Sequence, residues 1–209
     1  RYPLVTGVQT CALPISGKIG KAFQFDGIND YVQLPDDSLN FTNKFSYSFW
    51  INTTDSTGST IIVGNLQNPR GAYSWAHGYN YWLSAGKILV DYKVGSTTVT
   101  TPLTSAATVA NGVWNHVVVT YDPSNLSTGS KIYINGVLDS SGNTLGTLSP
   151  IGYSSPMKAC IGARNYSGSP SNFLSNNTKL DAVSVWNKEL TATEITELYN
   201  SGTGKQYPF

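Results

Sequence analysis

Phe25-Asp26-Gly27-Ile28-Asn29-Asp30-Tyr31-Val32 decides how the rest of the chain is read. It joins the end of one strand to the aromatic start of the next through a glycine turn. Two acids and an asparagine crowd that turn. Carboxylates so placed accept hydrogen bonds from their own backbone amides. They can equally supply oxygen ligands to a hard cation. On either side, Ala22–Phe25 and Tyr31–Leu34 alternate apolar and polar residues, as half-buried strands do.

The alternation recurs along the chain. Phe45, Tyr47, Phe49 and Ile51 fall on one face of a strand, with Ser46, Ser48 and Trp50 on the other. Ile61–Val63 reads as a short buried strand, and Asn68–Gly71 as a turn. Tyr79–Ser84 and Lys87–Lys93 form a hairpin around Ala85-Gly86. Thr97–Pro102 and Ala106–Val109 read as strands, and Trp114–Tyr121 as a central one. Lys131–Ile134 and Val137–Asp139 flank Asn135-Gly136, the strongest short hairpin signal in the chain. Met157–Ile161 and Leu180–Trp186 are the last strands. A single helix is expected from about Thr191 to Tyr199, ending near Gly202. Thr191 and Glu194 form its capping box, and Leu190 and Ile195 its hydrophobic staple. Many short strands separated by turns predict an all-β fold, a two-sheet antiparallel sandwich with one short C-terminal α-helix.

FDGINDYV resembles the opening signature of laminin-G-like, concanavalin A-like domains. Four later segments match that family in order: FSYSFWI (Phe45–Ile51), WNHVVVTYD (Trp114–Asp122), KIYINGVLD (Lys131–Asp139) and LDAVSVWNKELTATEITELYN (Leu180–Asn200). The resemblance implies a jelly roll with one concave outer face. It also implies a structural calcium held between Asp26 and Asp30 in the turn and Asp181 in the LDAV strand. The ending SGTGKQYPF resembles the C-termini of such domains in environmental bacterial and viral proteins.

Composition narrows the function. Of 209 residues, 40% are hydrophobic, including 13 Tyr, 7 Phe and 5 Trp, enough for a core. Charged residues are only 12%, about half the usual share. The net charge of +1 gives no electrostatic case for nucleic acid or an anionic membrane. No apolar run reaches the ~18 residues that span a bilayer. Five N-glycosylation sequons, at Asn40, Asn52, Asn125, Asn165 and Asn176, matter only in a eukaryotic source.

A glycosidase needs two converging carboxylates. The three glutamates, Glu189, Glu194 and Glu197, all lie in or beside the helix. A lyase would draw on His77 or His116, and His116 sits in a strand the family uses structurally. Catalysis is therefore the third reading. Sugar recognition needs an aromatic platform with amide, carboxylate or guanidinium groups around it. The richest such cluster is Tyr73–Trp82. If Tyr81 and Leu83 face the core, then Asn80 and Trp82 face outward, and Asp91 shares their face. Trp75 and Tyr79 belong to the same cluster, and Arg70 and Arg164 would rim it. The expected function is a noncatalytic carbohydrate-binding or adhesion module of a larger secreted, cell-surface or phage-tail protein. Its partners would be a glycan or glycoconjugate and proteins of a surface or virion assembly. The competing reading is a structural or protein-interaction module in which these aromatics are packing.

Val5–Ile15, VTGVQTCALPI, matches a widely used sequencing-adapter oligonucleotide codon for codon. Residues 1–16 are therefore expected to be a translated artefact, 17–203 the domain and 204–209 a tail. Cys11 and Cys160 would ordinarily read as one disulfide of a secreted domain. Cys11 lies inside the adapter-like stretch, so Cys160 is read as a lone thiol packed in the core.

Overall fold

The structure is a computed structural model that describes residues 9–10, 13–35, 38–67, 77–94, 102–144, 159–165 and 169–205. Two large antiparallel sheets pack face to face. Sheet I runs β12 (Val137–Gly142), β11 (Ser130–Ile134), β10 (Asn115–Tyr121), β5 (Phe45–Asn52), β16 (Lys179–Trp186), β3 (Lys21–Gln24) and β2 (Leu13–Ser16). Sheet II runs β1 (Gln9–Thr10), β4 (Tyr31–Gln33), β13 (Cys160–Ile161), β6 (Ser59–Gln67), β7 (His77–Ser84), β8 (Lys87–Val94) and β9 (Leu103–Thr104). β14 (Arg164–Asn165) and β15 (Pro170–Ser171) form a third, two-stranded sheet, and helix α1 spans Ala192–Tyr199. This is the expected all-β jelly-roll sandwich.

The expected period-two faces hold. Phe45, Tyr47, Phe49 and Ile51 enter the core from sheet I, where they meet Tyr79, Tyr81, Leu83, Ile88, Val90 and Tyr92 of sheet II. The tyrosines carry their polar ends inside, so those ends need partners. The Tyr47 and Tyr79 hydroxyls share a 2.5 Å hydrogen bond, and Tyr79 also donates to the Leu39 carbonyl at 2.8 Å. Burial drives the pKa of both hydroxyls far above the usual range, so they stay neutral.

The FDG turn links the two sheets. Phe25 is buried, and its amide donates to the Thr178 carbonyl. Gly27 takes φ +77°, with space for a Cβ closed by the Asn176 amide nitrogen at 2.7 Å. Only glycine meets both demands.

Helix α1 begins as its sequence predicts. Thr191 accepts from the Glu194 amide, and Glu194 reaches back to the Thr191 amide. The helix also ends at Tyr199, as expected. Asn200, at φ 47°, is the left-handed C-cap, and a 3-10 turn carries the chain on to Gly202. Asparagine tolerates that conformation and satisfies the helix end before Gly202 is needed. Leu190, Ile195 and Leu198 pack on Val118 and Tyr133 of sheet I, forming a second small core with Trp186 against it. This cover explains why β5 is buried on both faces although its sequence alternates. Trp114 precedes β10 and is half-buried.

Ala106–Val109 is not a strand. The amides of Ala106 and Ala107 donate to the Asp139 carboxylate, which holds this stretch as a loop against β12. Thr97–Thr101 lie outside the described residues, as does Cys11. Cys160 is fully buried and not disulfide-bonded. Leu13–Ser16 pairs with β3, and Gln9–Thr10 with β4, each at a sheet edge.

Candidate functional site

Antiparallel pairing places Gly64, Asn80 and Asp91 in one row across β6, β7 and β8, on the face of sheet II turned away from the core. Cys160 and Gln33 extend that row. The neighbouring row carries Trp82 and Leu89. Asn80, Trp82 and Asp91 thus share the outer face, as the alternation of β7 and β8 requires. Lys93 lies on it too. It went unremarked in the sequence, although the spacing that places Asp91 also places Lys93 two residues on.

The β14–β15 hairpin lies over this face. Gly64 makes that possible: a Cβ there would stand 2.4 Å from the Ala163 carbonyl oxygen and 2.9 Å from the Arg164 Cα. The Arg164 guanidinium comes to 5.6 Å from the Trp82 ring centroid, within cation–π range. Its Nη2 also donates to Asn172 Oδ1 at 2.9 Å. Trp82 and Arg164 are half-buried and form the lip of the site.

Its floor is buried and polar. Asn80 is 0% exposed, and neither its Nδ2 nor its Oδ1 has a hydrogen-bond partner. The Trp82 indole N–H is likewise buried and unpartnered. Asp91 and Lys93 are buried beside them. Burial pushes the Lys93 ammonium pKa down, and the Asp91 charge partly offsets this.

Tyr79 does not join this site. Its hydroxyl sits in the core network with Tyr47, because it shares the inward phase of Tyr81 and Leu83. Arg70 and Trp75 lie outside the described residues.

The two acids of the turn lie together, and Asp181 does not join them. Asp26 Oδ1 accepts from the amides of Ile28 and Asn29, and Asp30 Oδ2 from the amide of Asp26. Asp181 is tied elsewhere, accepting from the amides of Ile19 at 2.7 Å and Ala182 at 2.6 Å. Among the described residues, no three His, Cys, Asp or Glu side chains converge on a metal-sized space. The Asp26 carboxyl pKa is lowered, chiefly by the Ile28 amide. Burial raises those of Asp30 and Asp181. Amide donors occupy Asp26 Oδ1, Asp30 Oδ2 and both Asp181 oxygens, while Asp30 Oδ1 is buried without a partner.

The glutamates are also engaged. Glu189 pairs with Lys131 at 2.6 Å and with Lys44 at 3.8 Å. Glu194 serves the capping box and pairs with Lys188, and Glu197 pairs with Lys205 at 3.8 Å.

A family model described as the concanavalin A-like lectin/glucanases superfamily matches residues 26–196. The chain belongs to this superfamily. No curated protein matches this concanavalin A-like domain in sequence. Its backbone resembles the binding domain of Paraclostridial Mosquitocidal Protein 1, with a TM-score of 0.71 at 18% identity, over 93% of this chain and 47% of that one. It also resembles the binding domain of botulinum neurotoxin serotype G, with a TM-score of 0.66 at 15% identity, over 92% and 45%. A third likeness is the botulinum neurotoxin DC binding domain solved with rat synaptotagmin II, with a TM-score of 0.64 at 18% identity, over 96% and 46%. The concanavalin A-like domain thus spans about half the length of these structures, and at these identities the likeness is one of fold. Among the described residues, no helix is long and apolar enough to cross a membrane.

Proposed function

We propose that this domain is a noncatalytic binding module of an extracellular, cell-surface or virion-associated protein. It takes a glycan on the outer face of sheet II, with Trp82 and Arg164 at the lip and Asn80 and Asp91 beneath. The observation that carries this reading is the Asn80 amide, fully buried with both ends unpartnered. A buried amide left so loses about 1–3 kcal/mol relative to a hydrogen-bonded one. A sugar hydroxyl both donates and accepts, so it matches the two ends of an amide. The neighbouring indole supplies a stacking surface and one further donor. The engagement of all three glutamates in ion pairs or the helix cap supports the noncatalytic reading. A second reading, a protein-docking module, draws on Val137 and Leu138, exposed at 69% and 51% on the edge strand β12.

Glycan-array binding of the intact chain, compared with Trp82→Ala and Asn80→Ser, tests the proposal. Saturable binding lost in both variants sustains it. A folded chain that binds no glycan transfers the role to protein docking.

A further inference from the structure

The outer face of sheet I holds an aromatic-lined pocket that the proposed binding face does not use. Pairing sets His116, Trp50 and Asp181 in one row across β10, β5 and β16. The His116 ring lies 5.0 Å from Trp50 and 6.2 Å from Tyr199 of helix α1, centroid to centroid. The imidazole is 3% exposed, and its Nδ1 has no hydrogen-bond partner. The His116 backbone cannot swing aside. Its amide donates to Asn135 Oδ1 at 2.9 Å, and its carbonyl accepts from the Asn135 amide at 2.8 Å.

The pocket beside His116 is lined by Ser48, Trp50, Ser184, Trp186, Leu198 and Lys205. Helix α1 forms one wall, and the turn after it closes the top. A Cβ at Gly204 would stand 2.5 Å from Ile19 Cδ1 and 3.2 Å from Trp50 Nε1. Two lysines flank Trp50 and the pocket. Lys18 Nζ sits 5.0 Å from the Trp50 ring centroid, and Lys205 lines the pocket itself. Glu197 pairs with Lys205 on the helix side. Asp181, across Trp50, has its carboxylate taken by the Ile19 and Ala182 amides. Tyr199 contributes a neutral ring, and Tyr133 of β11 lies one row away, opposite Val118.

We infer that His116 is an acid-operated latch: protonation of its buried ring releases α1 and the turn that follows it from sheet I. A proton there places a charge in a dehydrated site where Nδ1 has no hydrogen-bond partner. Neutral, the ring packs against both Trp50 and Tyr199, which also stack on each other at 5.9 Å. Desolvation accordingly holds its pKa at about 4, against 6.5 when exposed. The group's pKa is lowered in the closed state, so its stability is complete above pH 6.5 and drains away as pH falls toward 4. Between pH 7.5 and 5 the closed seam should open about 30-fold more often.

Amide hydrogen exchange over residues 190–205 of the intact chain, corrected for the intrinsic pH dependence, tests this. The expected result is a loss of protection of about 30-fold from pH 7.5 to 5, absent in His116→Phe. Unchanged protection in the unaltered protein overturns the latch, as does an equal loss in His116→Phe. Should that variant fail to fold, an NMR titration of the His116 ring decides. Titration below pH 5 in step with the α1 signals sustains the latch, and titration near 6.5 overturns it.

Discussion

Gly162 shows how little room some single positions leave. Its φ is +82°, and a Cβ there would lie 2.2 Å from Phe25 Cε1. Its amide donates to Ile62 and its carbonyl accepts from Leu174, so the backbone cannot retreat. Gly162→Ala should therefore destabilise the fold by about 3 kcal/mol, from left-handed strain plus overpacking. A lower urea midpoint at unchanged slope would register it. Asp122 makes a different kind of prediction. Burial pushes its carboxyl up, but Lys44 at 2.8 Å and the Ser124 hydroxyl and amide outweigh this and hold the pKa at about 2. The contribution is present above pH 3.8 and lost as pH falls toward 2. Lys44 is 46% exposed, so solvent screening keeps the pair near or below about 1 kcal/mol. Lys44→Met should raise the Asp122 pKa, read by carboxyl NMR, and flatten the acid limb of the stability curve between pH 4 and 2.

At the scale of elements, helix α1 acts as a lid, and its stability depends on how it starts. Thr191→Ala removes one half of the capping box and should cost about 1 kcal/mol. Hydrogen exchange should place that loss in residues 190–200 rather than across the sandwich, because Ile195 and Leu198 pack only on the outer face of sheet I. This helix was legible in the sequence because its signals are local. So was the β11–β12 hairpin, whose Asn135-Gly136 turn takes φ 52° and 81°. Strand phase in β5, β7 and β8 was equally legible, since one buried aromatic fixes every second residue. Ala106–Val109 failed because its apolar composition fits a strand, whereas Asp139, more than thirty residues away, captures its amides. No local pattern announces such a long-range carboxylate.

At the scale of the molecule, Trp82, Asn80 and Asp91 could be placed on one face from the sequence, but their environment could not. Arg164 over Trp82 depends on the close approach of β14 at Gly64, a contact between segments a hundred residues apart. Asp181, expected to meet the two acids of the FDG turn, instead accepts from the Ile19 amide. Adding calcium or chelator should therefore leave the melting temperature unchanged. Residues 1–16 supply the final test. Of these, Gln9–Thr10 and Leu13–Ser16 occupy the outer edges of the two sheets, β1 against β4 and β2 against β3. Edge pairing is made by backbone groups and asks little of side chains. Pro14 and Ser16 are exposed and Ile15 is half-buried, so these three add little to the core. Removing residues 1–16 should leave a folded sandwich weakened by a few kcal/mol, the net worth of a handful of strand hydrogen bonds. Thermal melting by circular dichroism checks this. A cooperative transition shifted down by several degrees fits two dispensable edge strands. Loss of the transition would mean that β2 is integral, because β3 alone cannot close that side of sheet I.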